Sequence, residues 1–308
     1  MGGFGLIDTF DVSSFVAAAL KAHRPVVALE TTLVTHGLPH PDGAEAARRL
    51  ENSVVAAGAV PATIGVLDGR VRVGLTLDEL HRLAQESDTA KLNLSNFAAQ
   101  LASGKPGSTT VAATMFVAAR VGIEVFATGG IGGVHRDVGA SFDVSADLHA
   151  LARFPVAVVC AGAKAVLDLP KTVEMLESNG VPIYGYRTQE FPAFYRRDSG
   201  LPVDAGFDSV SALADAVRVH FSLGLGTGVV IANPIPAEHE LAREVYEPAL
   251  ATALREVAEQ KVRGREVTPF LLDRLRQLTE GSSVFSNLAL LENNARLAAE
   301  LAGALAGR

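Results

Sequence analysis

The chain reads as an α/β protein: a three-layer α/β/α arrangement around a large, mostly parallel, mixed central sheet. Three observations predict it. Short apolar runs alternate with amphipathic helical stretches along most of the length. The runs are apolar throughout rather than at every second residue, as strands covered on both faces must be. One pair of runs is joined by Asp68-Gly69, a hairpin signal that brings an antiparallel pair into the sheet. With 308 residues, 48% of them hydrophobic, the chain can close one large core. A single domain is expected, with a short N-terminal extension over about residues 1–20 and a C-terminal helical segment over about 265–308.

The first strand is residues 25–29 (PVVAL), followed by an amphipathic helix over 44–57. Residues 62–75 hold the hairpin, TIGVL and VRVGL. A helix is expected over 109–121, a strand over 124–127 and a helix over 146–153. Another strand over 156–160 precedes a helix somewhere after Lys164, and a strand over 182–186 follows. GLGTGVVIAN (224–233) reads as a strand entered through a glycine turn, and Pro234 and Pro236 block its continuation. Residues 238–260 are strongly helical. The charged break KVRGREVTP then separates them from two closing helices, 270–279 and 286–305.

Composition excludes several functions. A net charge of −7 and a pI near 5.6 disfavour nucleic-acid or anionic-membrane partners. The single cysteine, Cys160, leaves no internal disulfide, which fits a reducing cytoplasm. MGGFGLIDTFDVSS lacks the basic start and apolar core of a signal peptide, and no run has the ~18–20 uncharged apolar residues of a membrane span.

The polar residues that bear chemistry sit at predicted strand ends, where α/β proteins build their sites. Lys164 in CAGAK follows the strand VAVVC and has only small or apolar neighbours. Such an amine is either a surface lysine opening a helix or a nucleophile held toward its free-base form for attack on a carbonyl. Glu30 ends PVVAL; a carboxyl there is either salt-bridged at the sheet edge or a proton donor and acceptor with a raised pKa. Asp147 in SADL lies in a first helical turn, where the helix dipole alone would explain it. As a ligand, one carboxylate suits a hard, mostly hydrated Mn2+ or Mg2+ rather than a zinc cage. His36, His40 and His135 are isolated from any Cys/His cluster.

The loop TGGIGGVHR can turn backbone N–H groups toward an anion, with His135 and Arg136 adding donors. It is not the GxGxxG dinucleotide fingerprint, so a nicotinamide cofactor is not expected. Thr109 and Thr110 open a helix whose N-terminus either binds phosphate or is simply capped. Lys91 is either a phosphate cation or a solvated lysine.

Together these segments resemble the pseudouridine-5'-phosphate glycosidases, the family that includes the indigoidine synthase A-like proteins. The resemblance covers roughly residues 25–300 and is carried by VVALE with HGLPHP, TTVAATM, ATGGIGGVHR, SADL with CAGAK, GYRTQEFPAFY with SGLPV, IANPIP, TPFLL and SNLALLENNA. It implies a lyase that breaks the carbon–carbon bond between uracil and ribose 5-phosphate. Carried over by motif, Lys164 forms an imine with ring-opened ribose, Glu30 is the general acid/base and Asp147 binds Mn2+. Thr128, His135 and Asn287 line the sugar and base pocket, and Lys91, Thr109 and Thr110 lie near phosphate or ribose. The resemblance also implies a homotrimer acting on a small phosphosugar or nucleotide.

The chain departs from the family pattern at several points. After Lys91 the family usually carries Ser, two Arg and Asp, whereas this chain has Asn93, Leu94, Ser95 and Asn96. Glu30 is followed by Thr31-Thr32 instead of Ser-Thr, His40 and Gly43 replace a tyrosine and an asparagine, and Thr227 replaces a glycine. These changes leave Glu30, Asp147 and Lys164 in place but alter segments expected near the substrate. A C-glycosynthase that attaches ribose 5-phosphate to an aromatic or heterocyclic carbon is therefore the alternative reading. A non-catalytic phosphosugar-binding protein is a more distant one.

Overall fold

A computed structural model describes residues 9–37, 42–86, 88–262 and 267–307. Residues 1–8 of the expected extension, His40, and 263–266 of the charged break lie outside them. Among the described residues the sheet has eleven strands in the order β1-β4-β3-β2-β7-β8-β11-β9-β10, with β6 pairing β3 and β5 pairing β6. The strands are β1 (Phe10–Val12), β2 (Val26–Leu29), β3 (Val60–Leu67), β4 (Arg70–Val73), β5 (Ala90–Leu92), β6 (Gly107–Thr109), β7 (Val125–Ala127), β8 (Ala157–Cys160), β9 (Ile183–Tyr186), β10 (Ala205–Phe207) and β11 (Val229–Ala232). All pairings are parallel except β3 with β4 and β3 with β6. The mixed three-layer α/β/α architecture is thus what the alternating pattern predicted.

β2, β8 and β11 are buried at every position. In β2, Val26 and Ala28 join the core on one face, with Phe126 and Val158, while Val27 and Leu29 join the core on the other, with Val159 and Ile231. A buried Val, Leu, Ile or Phe side chain of this kind contributes about 1.5–3 kcal/mol. Helices α1 (Ser14–Lys21), α5 (Val111–Val121), α7 (Ala146–Leu151) and α8 (Leu169–Ser178) cover the first face; α2 (Asp42–Ala56), α9 (Val210–Ser222) and α12 (Ser282–Ala306) cover the second. α3 (Leu77–Gln85), α4 (Phe97–Ser103), α6 (Val138–Ser141), α10 (Arg243–Glu259) and α11 (Val267–Leu278) complete the set.

The hairpin forms as its turn residues predict: Asp68 and Gly69 both take positive φ, 53° and 70°, the geometry of a type I′ turn. Other expectations change. Residues 10–21 of the supposed extension are β1, paired parallel with β4, and α1, whose Val16 and Ala19 are fully buried. The helix expected from 109 begins at Val111, because Gly107–Thr109 is spent on β6 and Thr110 is the N-cap. The helix expected over 238–260 breaks at residues 240–242, where Leu241 N–H donates to Tyr195 O and Glu240 accepts from Arg197 N–H.

From β2 the chain passes to β3 on one side, and from β7 it passes to β8 on the other, while β2 and β7 are neighbours. Their carboxyl ends therefore border the crevice where the sheet reverses its winding, the place at which open α/β sheets take up ligands.

Candidate active site

Three adjacent strands deliver the central groups. Glu30 follows β2, Thr128 follows β7, and Lys164 lies four residues past the end of β8. The loops after β7 and β8 are stitched together beyond the sheet. Thr128 N–H donates to Val159 O (3.0 Å), Ala161 N–H to Gly129 O (2.9 Å), Ile131 N–H to Gly162 O (3.0 Å) and Lys164 N–H to Ile131 O (3.0 Å). Gly162 is required here: its φ is +86°, and a Cβ would lie 1.9 Å from Pro192 O. The segment carrying Pro192 is GYRTQEFPAFY; Phe194 N–H donates to Ala161 O at 2.9 Å, so that motif braces the Lys164 loop from behind.

Thr128 Oγ1 donates to Glu30 Oε1 at 2.5 Å. Burial pushes the Glu30 carboxyl above its ordinary value, and the nearby Asp147 charge adds to this. The Lys164 and Lys91 charges and the Thr128 hydrogen bond oppose it without cancelling it. The balance identifies a carboxyl that keeps its proton more readily than an exposed one, and it places Lys164, Asp147 and Lys91 within electrostatic reach of Glu30. Lys164 is half-buried.

Asp147, only 5% exposed, enters through α7, whose N-cap Ser145 accepts from Asp147 N–H. Its Oδ1 accepts from Ala112 N–H at 2.9 Å and its Oδ2 from Gly132 N–H at 2.8 Å. The anion at the N-terminus of α5 is thus Asp147 itself, and Thr110 takes the Ala113 N–H. This narrows the expected phosphate role of that helix end. Gly132 must be glycine, since a Cβ would meet Ser145 Oγ at 2.1 Å and Asp147 Oδ2 at 2.6 Å.

Each Asp147 oxygen retains a free lone pair on the side away from its N–H donor. Among the described residues no three His, Cys, Asp or Glu side chains gather as a metal-binding group. A lone, pre-oriented carboxylate fits a hard divalent ion that keeps most of its water, and does not fit zinc.

The remaining expected residues divide. Asn287 on α12 is 7% exposed, and its amide has no hydrogen-bond partner among the described residues, an arrangement suited to a ligand rather than to packing. His135 is half-buried, its Nε2 3.9 Å from Asp143 Oδ2. Lys91 lies on β5, half-buried, and Thr110 is half-buried at its cap. Thr109, by contrast, is fully buried. Its hydroxyl donates to Ile64 O (2.7 Å), and the Thr31 and Thr114 hydroxyls lie 3.3 and 3.0 Å from it, so it braces the β3–β6 pairing beneath the site.

Asn93 and Asn96 are used within their own turn. Asn96 Oδ1 accepts from Asn93 N–H (2.9 Å), Asn96 Nδ2 donates to Lys91 O (3.1 Å), and Asn93 Oδ1 accepts from Ser95 N–H (2.9 Å). No single sequence motif assigns a role to Asn294, yet its Nδ2 donates to Thr128 O at 2.8 Å and its Oδ1 accepts from Asn233 Nδ2 at 2.9 Å. The motifs ENNA and IANP together contained that signal.

Residues 15–304 match the model of the family described as indigoidine synthase A like protein. The chain belongs to that family. This indigoidine synthase A-like chain is 52% identical over 297 residues to a pseudouridine-5'-phosphate glycosidase of Methylobacterium nodulans, covering 96% of this chain and 88% of the relative. It is 48% identical to one of Caldanaerobacter subterraneus, covering 95% of each. Among solved structures it is similar to the prealnumycin C-glycosynthase AlnA in complex with ribulose 5-phosphate, with a TM-score of 0.90, 37% identity and 97% of each chain covered. It is also similar to an indigoidine synthase A-like protein of Thermotoga maritima, with a TM-score of 0.87, 36% identity and 96% of each chain covered.

Proposed function

We propose that this chain is a pseudouridine-5'-phosphate glycosidase, which hydrolyses the bond between C1' of ribose 5-phosphate and C5 of uracil. The observation that carries the reading is the convergence of Glu30, Lys164 and Asp147 at the crevice between β2 and β7, together with about half-identical relatives of that name over nearly the whole chain. A C-glycoside has no leaving oxygen, so the paired-carboxylate route of ordinary glycosidases is closed to it.

Lys164 is the nucleophile. Its free amine forms a bond to C1' as the ring oxygen departs with a proton from Glu30, opening the sugar. The Glu30 carboxylate then takes a proton from the new ammonium and returns it to uracil C5 as the C1'–C5 bond breaks: the electron pair of that bond forms C5–H, and the freed nitrogen lone pair completes a protonated imine with C1'. Water hydrolyses the imine, returning the lysine and ribose 5-phosphate. Glu30 moves these protons because its desolvated carboxyl holds a proton more readily than an exposed acid does. Asn287 offers an unpaired amide to the sugar or base, His135 adds a ring nitrogen, Thr128 fixes Glu30, and Lys91 and Thr110 face the phosphate end. Asp147 would hold a Mn2+ or Mg2+ ion, which would supply a hard Lewis acid for ordering solvent and substrate hydroxyls.

A second reading rests on the Asn93–Asn96 turn, which replaces charged family residues, and on the likeness to AlnA. In this reading the same chemistry runs in reverse and joins the sugar to another carbon nucleophile. The active form is proposed to be a homotrimer in the cytoplasm, and the mass in solution tests the assembly.

Incubation with pseudouridine 5'-phosphate should release free uracil, and borohydride with ribose 5-phosphate should trap an adduct on Lys164. Lys164→Ala should lose both while keeping the wild-type fold. An adduct without uracil release favours the synthase, whereas neither adduct nor uracil leaves only the binding protein. Chelation should depress turnover and Mn2+ restore it; a metal-free preparation of full activity would remove the ion from Asp147.

A further inference from the structure

Next to Glu30 a small cavity lies between β2, β3, α2 and α12. Its walls are mostly leucine and alanine, including Leu50 and Leu291, and its polar edge comes from Glu30, Thr63 and Thr128. It leaves about 20 Å³ to the centre of a water-sized sphere, and one water needs roughly 10–15 Å³ and a few polar partners. Thr63, 1% exposed, donates its hydroxyl hydrogen outward to Glu51 Oε1 at 2.5 Å. Its oxygen lone pairs are left for a donor on the cavity side.

Glu51 is half-buried on α2, so its carboxyl links this interior to the surface. Burial raises it above the ordinary carboxylate value and the Thr63 hydrogen bond lowers it. The charged groups around it are engaged elsewhere: Arg48 with Glu45 and Arg49 with Glu292 of α12, while on α3 Arg82 pairs with Asp68 and Glu79 with Thr76. Glu51 is not among the charges that act on Glu30, so any coupling between the two carboxyls must run through the groups between them.

We propose that the cavity holds one water bridging Glu30 and Thr63, and that Glu30, this water, Thr63 and Glu51 form a proton path between the general acid/base and the surface. Glu51 is then a positioning residue that sets how fast Glu30 recovers its proton state. In the outward direction Glu30 gives its proton to the water, the water gives one to Thr63 Oγ1, and Thr63 releases its own to Glu51, which exchanges with solvent. One proton moves, every partner regains its bonding, and the inward direction reverses each transfer. The kinetic role rests on the function proposed above; the water does not.

Glu51→Gln keeps an oxygen for Thr63 but cannot take the proton, Thr63→Val removes the hydroxyl at nearly constant shape, and Thr63→Ser restores it. Glu51→Gln and Thr63→Val should each lower kcat for uracil release about tenfold at unchanged KM, a part of the roughly 10²–10⁴-fold that acid–base catalysis supplies. Both should also enlarge the solvent deuterium isotope effect on kcat, and Thr63→Ser should recover the wild-type values. Wild-type kinetics in Glu51→Gln, or equal losses in the serine and valine variants, would overturn the path. A high-resolution crystal structure should show the water between Glu30 and Thr63; a dry cavity also overturns it. A wild-type protein that binds the water but releases no uracil sinks the functional reading alone.

Discussion

At the residue scale, Glu30 is where stability and activity oppose each other. Its folded pKa is raised from 4.5 by burial, so the folded state binds a proton that the unfolded state has already lost. Below about 4.5 both states hold the proton and there is no penalty. As pH rises from there through the folded value, stability is lost, and above that value the full cost of the buried charge remains. Glu30→Gln should therefore match the wild-type Tm in acid and exceed it at neutral pH, while turnover falls by roughly 10²–10⁴-fold. Thermal melts across that pH range check it, and a variant less stable than wild type at neutral pH would show that Glu30 is stabilised by its neighbours instead.

Thr109 illustrates what a residue's sequence context conceals. A threonine before TVAAT looks like a cap or a phosphate donor, and only the register of β6 on β3, with Ser108 opposite Gly65, directs its hydroxyl to Ile64 O. Asp147 is the reverse case: its position in a first turn was legible, but that it serves the N-terminus of a different helix, α5, was not.

At the element scale, α12 does more than close the core. Through fully buried Asn294 it holds the Thr128 carbonyl, and it also carries the largely buried Asn287. Asn294→Leu conserves volume but leaves Thr128 O and the Asn233 amide unpaired, each at about 1–3 kcal/mol. We expect a clear drop in Tm accompanied by a lower kcat, because Thr128 positions Glu30. An unchanged Tm would show that the amide pair contributes nothing.

Strand legibility followed length and burial. β2, β8 and β11 are short but apolar throughout, and the β3–β4 hairpin has its turn written in Asp68-Gly69. Three-residue β7 (VFA) is buried at every position and was legible as an apolar run, whereas β5 and β6 carry Lys91 or Ser108-Thr109 and, like β1 and β10, show no fully buried apolar run. In β1 and β10 every position is only half-buried, so even an apolar run is lacking.

At the scale of the whole molecule, the site exists because the chain winds away from β2 in one direction and from β7 in the other. Glu30 and Lys164 were identifiable as strand-end groups, since an acid or an amine in an apolar run stands out, whereas Thr128 came only with the family resemblance. The meeting of the three was not legible, because the order β2-β7-β8 is a property of the sheet and no local pattern encodes it.

The ladder of hydrogen bonds that continues past the ends of β7 and β8 has a consequence for how the crevice moves. Surface connections usually trade their amide hydrogens for deuterium quickly, yet the N–H groups of Ile131, Ala161 and Lys164 are tied into paired backbone. They should exchange as slowly as those of the central strands. Rapid labelling there would mean that the crevice is assembled only when ligand arrives.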